Sequence, residues 1–254
     1  PASHADVAAA EAMRVAFAHA AYECVRDQAA LDRWIALIRD RGYVAIDTET
    51  TSLDEMRAEL VGISLSVVPG QACYIPLGHR TGTGDLFGAS AMAEGQMPLD
   101  EVIAALKPVL EDDAVLKVGQ NVKYDWKIFA RHGIRMTPFD DTMLMSSAMN
   151  AGRHNHGMDF LSEEYLGHKP IEIKSLLGSG KSQVTFDKVP VDEAVKYAAE
   201  DADVTLRLWQ AFKPDLHKAQ VTTVYETLER PLVPVLADME MAGVRIDPSV
   251  LSRM

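Results

Sequence analysis

The chain has 254 residues, 48% of them hydrophobic, enough to bury the core of one good-sized domain with flanking pieces, so a disordered chain is excluded. Its 37 Asp+Glu against 25 Lys+Arg give a net charge of −12, which works against unaided, salt-sensitive binding to long duplex nucleic acid but leaves room for a local, cation-assisted site. Two cysteines without a CxxC pair exclude a disulfide framework and a thiolate zinc site and suit a reducing cytoplasm; no apolar run reaches membrane-spanning length, and no signal-peptide pattern opens the chain.

Residues 1–21 begin with the Ala-rich "PASHADVAAAEAMRVAFAHA" and read as a tail or linker. "DQAALDRWIALIRDRG" then carries apolar residues at helical spacing, with Gly42 as its stop. Three strand-like runs follow, "YVAIDTE", "ELVGISLSVV" and "ACYIPLGH", the last two joined by "PGQ" as a hairpin, which predicts an antiparallel meander. Beyond the Gly-rich "TGTGDLFGAS" the pattern alternates: helix "LDEVIAALKPVLED", strand "AVLKVGQN", helix "YDWKIFARHG", a short run, and helix "DDTMLMSSAMN". Such alternation predicts an α/β domain whose later strands are parallel. "MDFLSEEYLG" is a short helix ended by Gly167, and a long helix is expected from near Pro190, capped by Asp192, to about Lys213. "VYETLERPLVPVLADMEMAGVRID" reads as helix then strand. An opening on Pro and an ending, "DPSVLSRM", in mid-element suggest a piece of a longer protein.

Three groups of acids fall where sheets meet helices. Plotted at 3.6 residues per turn, the long helix places Ala194, Tyr197, Ala198, Asp201, Val204, Thr205 and Leu208 on one side. Lys196, Glu200, Asp203 and Arg207 fall on the other, as oppositely charged (i, i+4) pairs, so Glu200 and Asp203 are expected on a solvated face. Asp201 is left inside an apolar stripe, where an ionised carboxylate needs a cation or several donors. At the end of the apolar run Tyr43 to Ile46, Asp47 and Glu49 follow at the period-two spacing that aims both to one face. In "GQNVKYD", Asn121 closes a strand and Asp125 lies in the first turn of a helix. Each group alone is weak evidence, a DxE being more often a turn or cap. Four acids with no cysteine or convincing histidine partner form an oxygen-only site suited to Mg²⁺ or Mn²⁺. Two such ions are the usual arrangement for attack on a phosphodiester.

In that order, Asp47-x-Glu49, Asn121-x-x-x-Asp125 and Tyr197-x-x-x-Asp201 resemble the three exonuclease motifs of the DEDD superfamily, tyrosine branch. "DTETTSLD", "KVGQNVKYD" and "YAAEDADVTL" closely resemble the proofreading domain of bacterial DNA polymerase I, a family A polymerase. The closing "ERPLVPVLADMEMAGVRID" is similar to the opening of that family's polymerase domain. The resemblance implies a ribonuclease H-like fold with a mixed five-stranded sheet flanked by helices, a 3′-5′ exonuclease domain over 22–213, and the start of a truncated polymerase domain over 214–254. It further implies removal of nucleotides from a single-stranded DNA 3′ end with two ions. Asp47 would bridge them, Glu49 and Asp201 would complete the shell of the first, and Asp125 would hold the second, directly or through water. Tyr197 and Glu49 would orient the attacking water. Leu53 resembles an apolar wedge against the terminal bases, and reads equally as ordinary packing; Gln120, Asn121 and Tyr124 resemble contacts to the unpaired strand. An RNA exonuclease resembling RNase D shares the acids, and a silent scaffold is the reading outside enzymes.

Other signals carry less. "GSGKS", Gly178 to Ser182, has Ser175 where a phosphate loop needs Gly, and reads as a loop near the site with Lys181 a phosphate contact. His154 and His156 lack a third ligand, and Arg153 in the same basic loop is a candidate backbone contact. "DTMLMSSAMN" reads as core.

Overall fold

In a computed structural model of the chain, residues 15–17, 19–81, 91–180 and 183–253 are described; the predicted Gly-rich loop over 82–90 and Lys181 and Ser182 lie outside them. A two-residue strand, β1 (Glu23–Cys24), leads to helix α1 (Gln28–Arg41). The side chain of Asp27 caps α1 by accepting from the Ala30 amide, and Gly42, at φ 72°, turns the chain out of it into β2 (Tyr43–Thr50). The predicted hairpin is β3 (Leu60–Val68) with β4 (Gln71–Pro76). A small ribbon pairs β5 (Arg80–Thr81) with β6 (Ala91–Met92).

Then come α2 (Leu99–Leu110), β7 (Leu116–Gly119), α3 (Val122–Arg131), β8 (Phe139–Asp141) and α4 (Thr142–Asn150). The short α5 (Met158–Leu161) runs into a π-turn over Ser162–Leu166 that Gly167 ends, at φ 63°. After α6 (Ile173–Leu177) the long helix α7 spans Val191–Lys218, and α8 (Thr222–Val224), α9 (Arg230–Ala242) and α10 (Pro248–Leu251) close the chain.

The main sheet has the order β1-β4-β3-β2-β7-β8. β2, β3 and β4 form the expected antiparallel meander, and β7 and β8 add in parallel on the other side of β2. Among the described residues the mixed sheet thus has six strands rather than five. The extra one, β1, pairs only Glu23 and Cys24 with Cys73 and Tyr74, too short a run to show a period in sequence.

Alternation along the strands separates two layers. Val44, Ile46, Ile63 and Leu65 turn toward Leu31, Trp34 and Ile38 of α1, Leu106 of α2 and Phe129 of α3. The opposite face meets α7: Ala45 and Val118 pack on Leu206, while Val61, Ala72 and Tyr74 pack on Ala194 and Ala198. Small residues on both sides of that contact let the helix lie close. At Gly62, a Cβ would come within 2.1 Å of the Tyr74 hydroxyl.

Three sequence expectations need correction here. Glu200 and Asp203 are not solvated; each is 0% exposed, and Arg207 is 2% exposed. The side of α7 turned away from the sheet is covered around these residues by 15–17 and 19–22 and by the chain around 168–171, while Lys196, one turn earlier on that side, stays exposed. The Asp203–Arg207 pair does form, as a buried fork with Nε at 2.9 Å and Nη2 at 3.0 Å, while Asp203 also accepts from the Tyr22 hydroxyl and the Gly70 amide. Asp192 does not cap α7; Pro190 stands at that position, and the helix continues through Pro214 to Lys218. Residues 243–247 form no strand: Val244 and Ile246 are 90% and 65% exposed, because no described sheet edge is there to receive them. The Met-rich helix α4 does enter the core through Met145.

Removing one partner of the buried fork strands the other charge. Asp203→Ala should therefore cost about 3–5 kcal/mol of folding stability, measured by urea or thermal unfolding, and a loss near zero would mean that Arg207 finds another anion.

Candidate active site

Strand β2 supplies the first two acids. Because Ala45 faces α7, Asp47 and Glu49 two and four residues on face it too, opposite Ser64 and Gly62 of β3. Gly62 leaves Tyr74 the space beside Glu49, and Tyr74 is anchored by its hydroxyl to His79 Nε2 at 2.8 Å. From α7 comes Asp201, 7% exposed. Carboxylate oxygens of Asp47, Glu49 and Asp201 lie within 4.8 Å of one another. Tyr197, one turn before Asp201, sets its hydroxyl beside that carboxylate.

Asp125 arrives from the other layer. It sits on α3, against the opposite face of β2, and it is outside the three-carboxylate group. Thr48, which points away from Asp47 and Glu49, reaches it: the Thr48 amide donates to Asp125 Oδ1 at 3.0 Å, and the Thr48 hydroxyl bonds the same oxygen. Thr48 thus links the acids across the strand. Sequence reasoning passed over it because nothing local marks a partner 77 residues away.

Asp141 was missed for a similar reason. Its carboxylate accepts from the amides of Asn121 (3.1 Å) and Val122 (2.9 Å) at the start of α3, and of Met143 (2.8 Å) and Leu144 (3.3 Å) at the start of α4. Asn121, at φ 59°, makes no side-chain cap of its own. An acid directly before a helix is a capping signal, but only for the helix that follows it.

One side of α3 holds the loop after β2. Tyr124 donates to the Ser52 carbonyl at 2.6 Å and bonds the Thr50 hydroxyl. Arg131 donates to the carbonyls of Glu55 and Ala58, and Lys127 pairs with both Glu55 and, at 2.5 Å, Glu240 of α9. Leu53 projects from this clamped loop at 93% exposure, so it does not serve as packing within the described residues. Gln120 is engaged internally, donating to the His156 carbonyl at 2.8 Å and accepting from the Thr142 hydroxyl. His154 and His156 remain without a third ligand among the described residues; His156 bonds Ser146, and His154 stacks on Phe160.

Electrostatically the four acids resist ionisation. Burial pushes Asp47 up to about 6. Burial, and then the charges of Asp47, Asp201 and Asp125, hold Glu49 well above the carboxylate range; burial and Asp47 do the same to Asp125 and to Asp201. No cationic side chain is among the groups that set these values. Converging oxygen donors that lack protein counter-charge fit a hard divalent cation. Tyr197 is held above its usual range by burial and by Asp201, so it stays protonated and remains a donor.

Comparison with known proteins agrees with this geometry. The family described as 3′-5′ exonuclease matches residues 22–217. DNA polymerase I of Rhizobium leguminosarum is 53% identical over 264 residues, an alignment taking in 99% of this chain and 26% of that protein. DNA polymerase I of Pseudomonas aeruginosa is 41% identical, over 91% of this chain and 25% of that one. The chain therefore spans about a quarter of the length of these relatives. Among solved structures, Brucella melitensis NrnC with bound Mg²⁺ superimposes at a TM-score of 0.62 (20% identity, 87% of this chain, 92% of that chain). Escherichia coli RNase D does so at 0.57 (18% identity, 88% and 51%). The M. smegmatis Pol1 POL domain complex with DNA primer-template and dNTP does so at 0.65 (19%, 91% and 34%). These structural likenesses establish the ribonuclease H-like exonuclease fold. No helix among the described residues is long and apolar enough to cross a membrane.

The raised Asp47 value sets a stability dependence. Its folded value of about 6 exceeds the ordinary 3.8, so the folded chain binds more protons in that window; the stability Asp47 lends is present below the lower value and lost as pH rises through the upper one. In chelator, the wild type should lose melting temperature relative to Asp47→Asn between those two values, and Mg²⁺ or Mn²⁺ should restore it at pH 7.5. Parallel melting curves with and without metal check both parts.

Proposed function

Because the chain belongs to the 3′-5′ exonuclease family, we propose that it removes nucleotides singly from the 3′ end of single-stranded DNA, as the proofreading domain of a family A DNA polymerase. The observation that carries this is the meeting of Asp47, Glu49 and Asp201 within 4.8 Å, with Tyr197 beside Asp201 and Asp125 held next to them through Thr48. Asp47 with Glu49 and Asp201 would hold one Mg²⁺ or Mn²⁺ ion and Asp47 with Asp125 the second, and bound ions supply an acidified water and charge for the leaving 3′ oxygen.

The protein's own groups arrange the rest. Tyr197 keeps its proton and offers its hydroxyl to orient the attacking water, with Glu49 opposite. Leu53, fully presented by a loop that α3 clamps, lies against the terminal bases, and the half-buried Tyr124 faces the strand beside it. Asn121, exposed at the head of α3, is a contact to the unpaired strand. Gln120 acts on the same strand only if its amide leaves His156, so bracing the loop is its better role. The exonuclease domain covers 22–213, and the start of a polymerase domain follows; the exposed row of Leu228, in the turn before α9, and Leu232, Val235 and Met239 on α9 suits burial against it.

Resemblance to RNase D rests on fold alone, and a silent scaffold would have no use for four acids kept together against the cost of burying them.

Incubation with labelled single-stranded DNA, mismatched duplex and RNA should give metal-dependent release of mononucleotides from DNA, stopped by chelator and abolished in Asp47→Ala. Tyr197→Phe should slow it about 10²-fold. A preference for RNA would move the assignment to RNA trimming, and no cleavage of any substrate would leave the scaffold. Leu53→Ala should spare single strands and slow the mismatched duplex.

A further inference from the structure

Glu200 precedes Asp201 on α7 and takes no part in the chemistry above. It is fully buried, and its described partners are three donors from two separate stretches of chain, one at residue 19 and one at 168–171. His19 Nε2 and His168 Nε2 meet Oε1 at 2.6 and 2.7 Å, and the Ile171 amide donates to Oε2 at 2.7 Å. The contacts extend outward as one connected layer. The His168 ring stacks on Phe17 at 3.6 Å, the Arg207 guanidinium lies 3.9 Å from the centre of the Phe17 ring, and Arg207 also bonds the Val15 carbonyl. Tyr22 reaches Asp203 at 2.9 Å. Residues 15–17 and 19–22 are therefore a strap along the side of α7 opposite the sheet, engaging Glu200, Asp203 and Arg207. These positions are spaced three and four apart and share one helix face. Tyr197 and Asp201 lie on the other.

We infer that Glu200, fastened by His19 and His168, is a positioning residue for the metal-binding acids: it fixes how α7 is turned and seated, and hence where Asp201 and Tyr197 stand against Asp47 and Glu49. The physical ground is that a buried carboxylate stripped of its donors is costly. Any rotation or slide of α7 that carried Asp201 away from Asp47 would separate Glu200 from three donors at once. Among the described residues Asp201 itself has no such tie to another element; Tyr197, its neighbour, is on the same helix and moves with it. The inference rests on the exonuclease reading of the four acids.

Groups behind a metal ligand characteristically change metal affinity about 10–100-fold when removed. The test is Mn²⁺ titration of the 254-residue chain by electron paramagnetic resonance, with melting temperature measured on each variant. Asp47→Ala should lose the Mn²⁺ site and so identifies the signal. Glu200→Ala and His168→Ala should weaken binding about 10–100-fold. Glu200→Gln, which keeps an acceptor for Ile171 and can donate to an imidazole, should bind nearly as the wild type does. His19→Ala removes one half-exposed donor, leaves two in place, and should weaken binding by a smaller factor; it decides the matter if Glu200→Ala fails to fold. Lower melting temperatures with unchanged Mn²⁺ affinity in His19→Ala and His168→Ala would overturn the inference, reducing Glu200 to a packing role. If Asp47→Ala leaves Mn²⁺ binding unchanged, the acids are not a metal site, and the inference falls with that reading.

Discussion

The structure depends on one constraint: the central strand β2 is enclosed on both faces, and yet two acids point from it into the layer below α7. A strand so placed has neighbours on both edges and helices above and below, so water reaches its charges only in part, Asp47 being half-buried and Glu49 buried. Everything nearby accommodates that fact. Gly62 and Ser64 keep the adjoining strand small, Tyr74 closes the flank, and α7 brings a third acid to the same place, where a cation can serve all three.

Alternation then determines how the fourth acid takes part. Asp47 and Glu49 face one layer, while Thr48 between them faces the other, where α3 lies. A helix in that layer can reach the site only past the strand end, and Asp125 does so by hydrogen bonding to the residue that separates the two ligands. The site is thus assembled from both sides of a single strand, and its accuracy is that of the sheet.

Much of this was legible in the sequence because the relevant spacings are short. A period of two placed Asp47 with Glu49, a period of 3.6 placed Tyr197 with Asp201, and both hold regardless of what surrounds them. The same helical geometry also put Glu200 and Asp203 together on the far side of α7, and that grouping is right. What failed was the inference that the far side is wet. Their partners, His19 and Tyr22, stand 181 residues earlier in the chain, and no local pattern announces that residues so far upstream will return to cover the helix. β1 escaped notice because two residues cannot display a period, and Thr48 because its partner is remote.

Asp141 links the two parallel-strand helices in a way that outlasts any account of individual hydrogen bonds. With the first turns of α3 and α4 both ending on one carboxylate, neither helix has an independent pivot. α3 carries Asp125 and the clamp on the Leu53 loop; α4 packs with Val204 and Leu208 beyond Asp201 on α7. The acid from the upper layer and the acid from the lower layer therefore share a mechanical frame, and a disturbance at one end of the molecule reaches both halves of the site as a single displacement rather than as two.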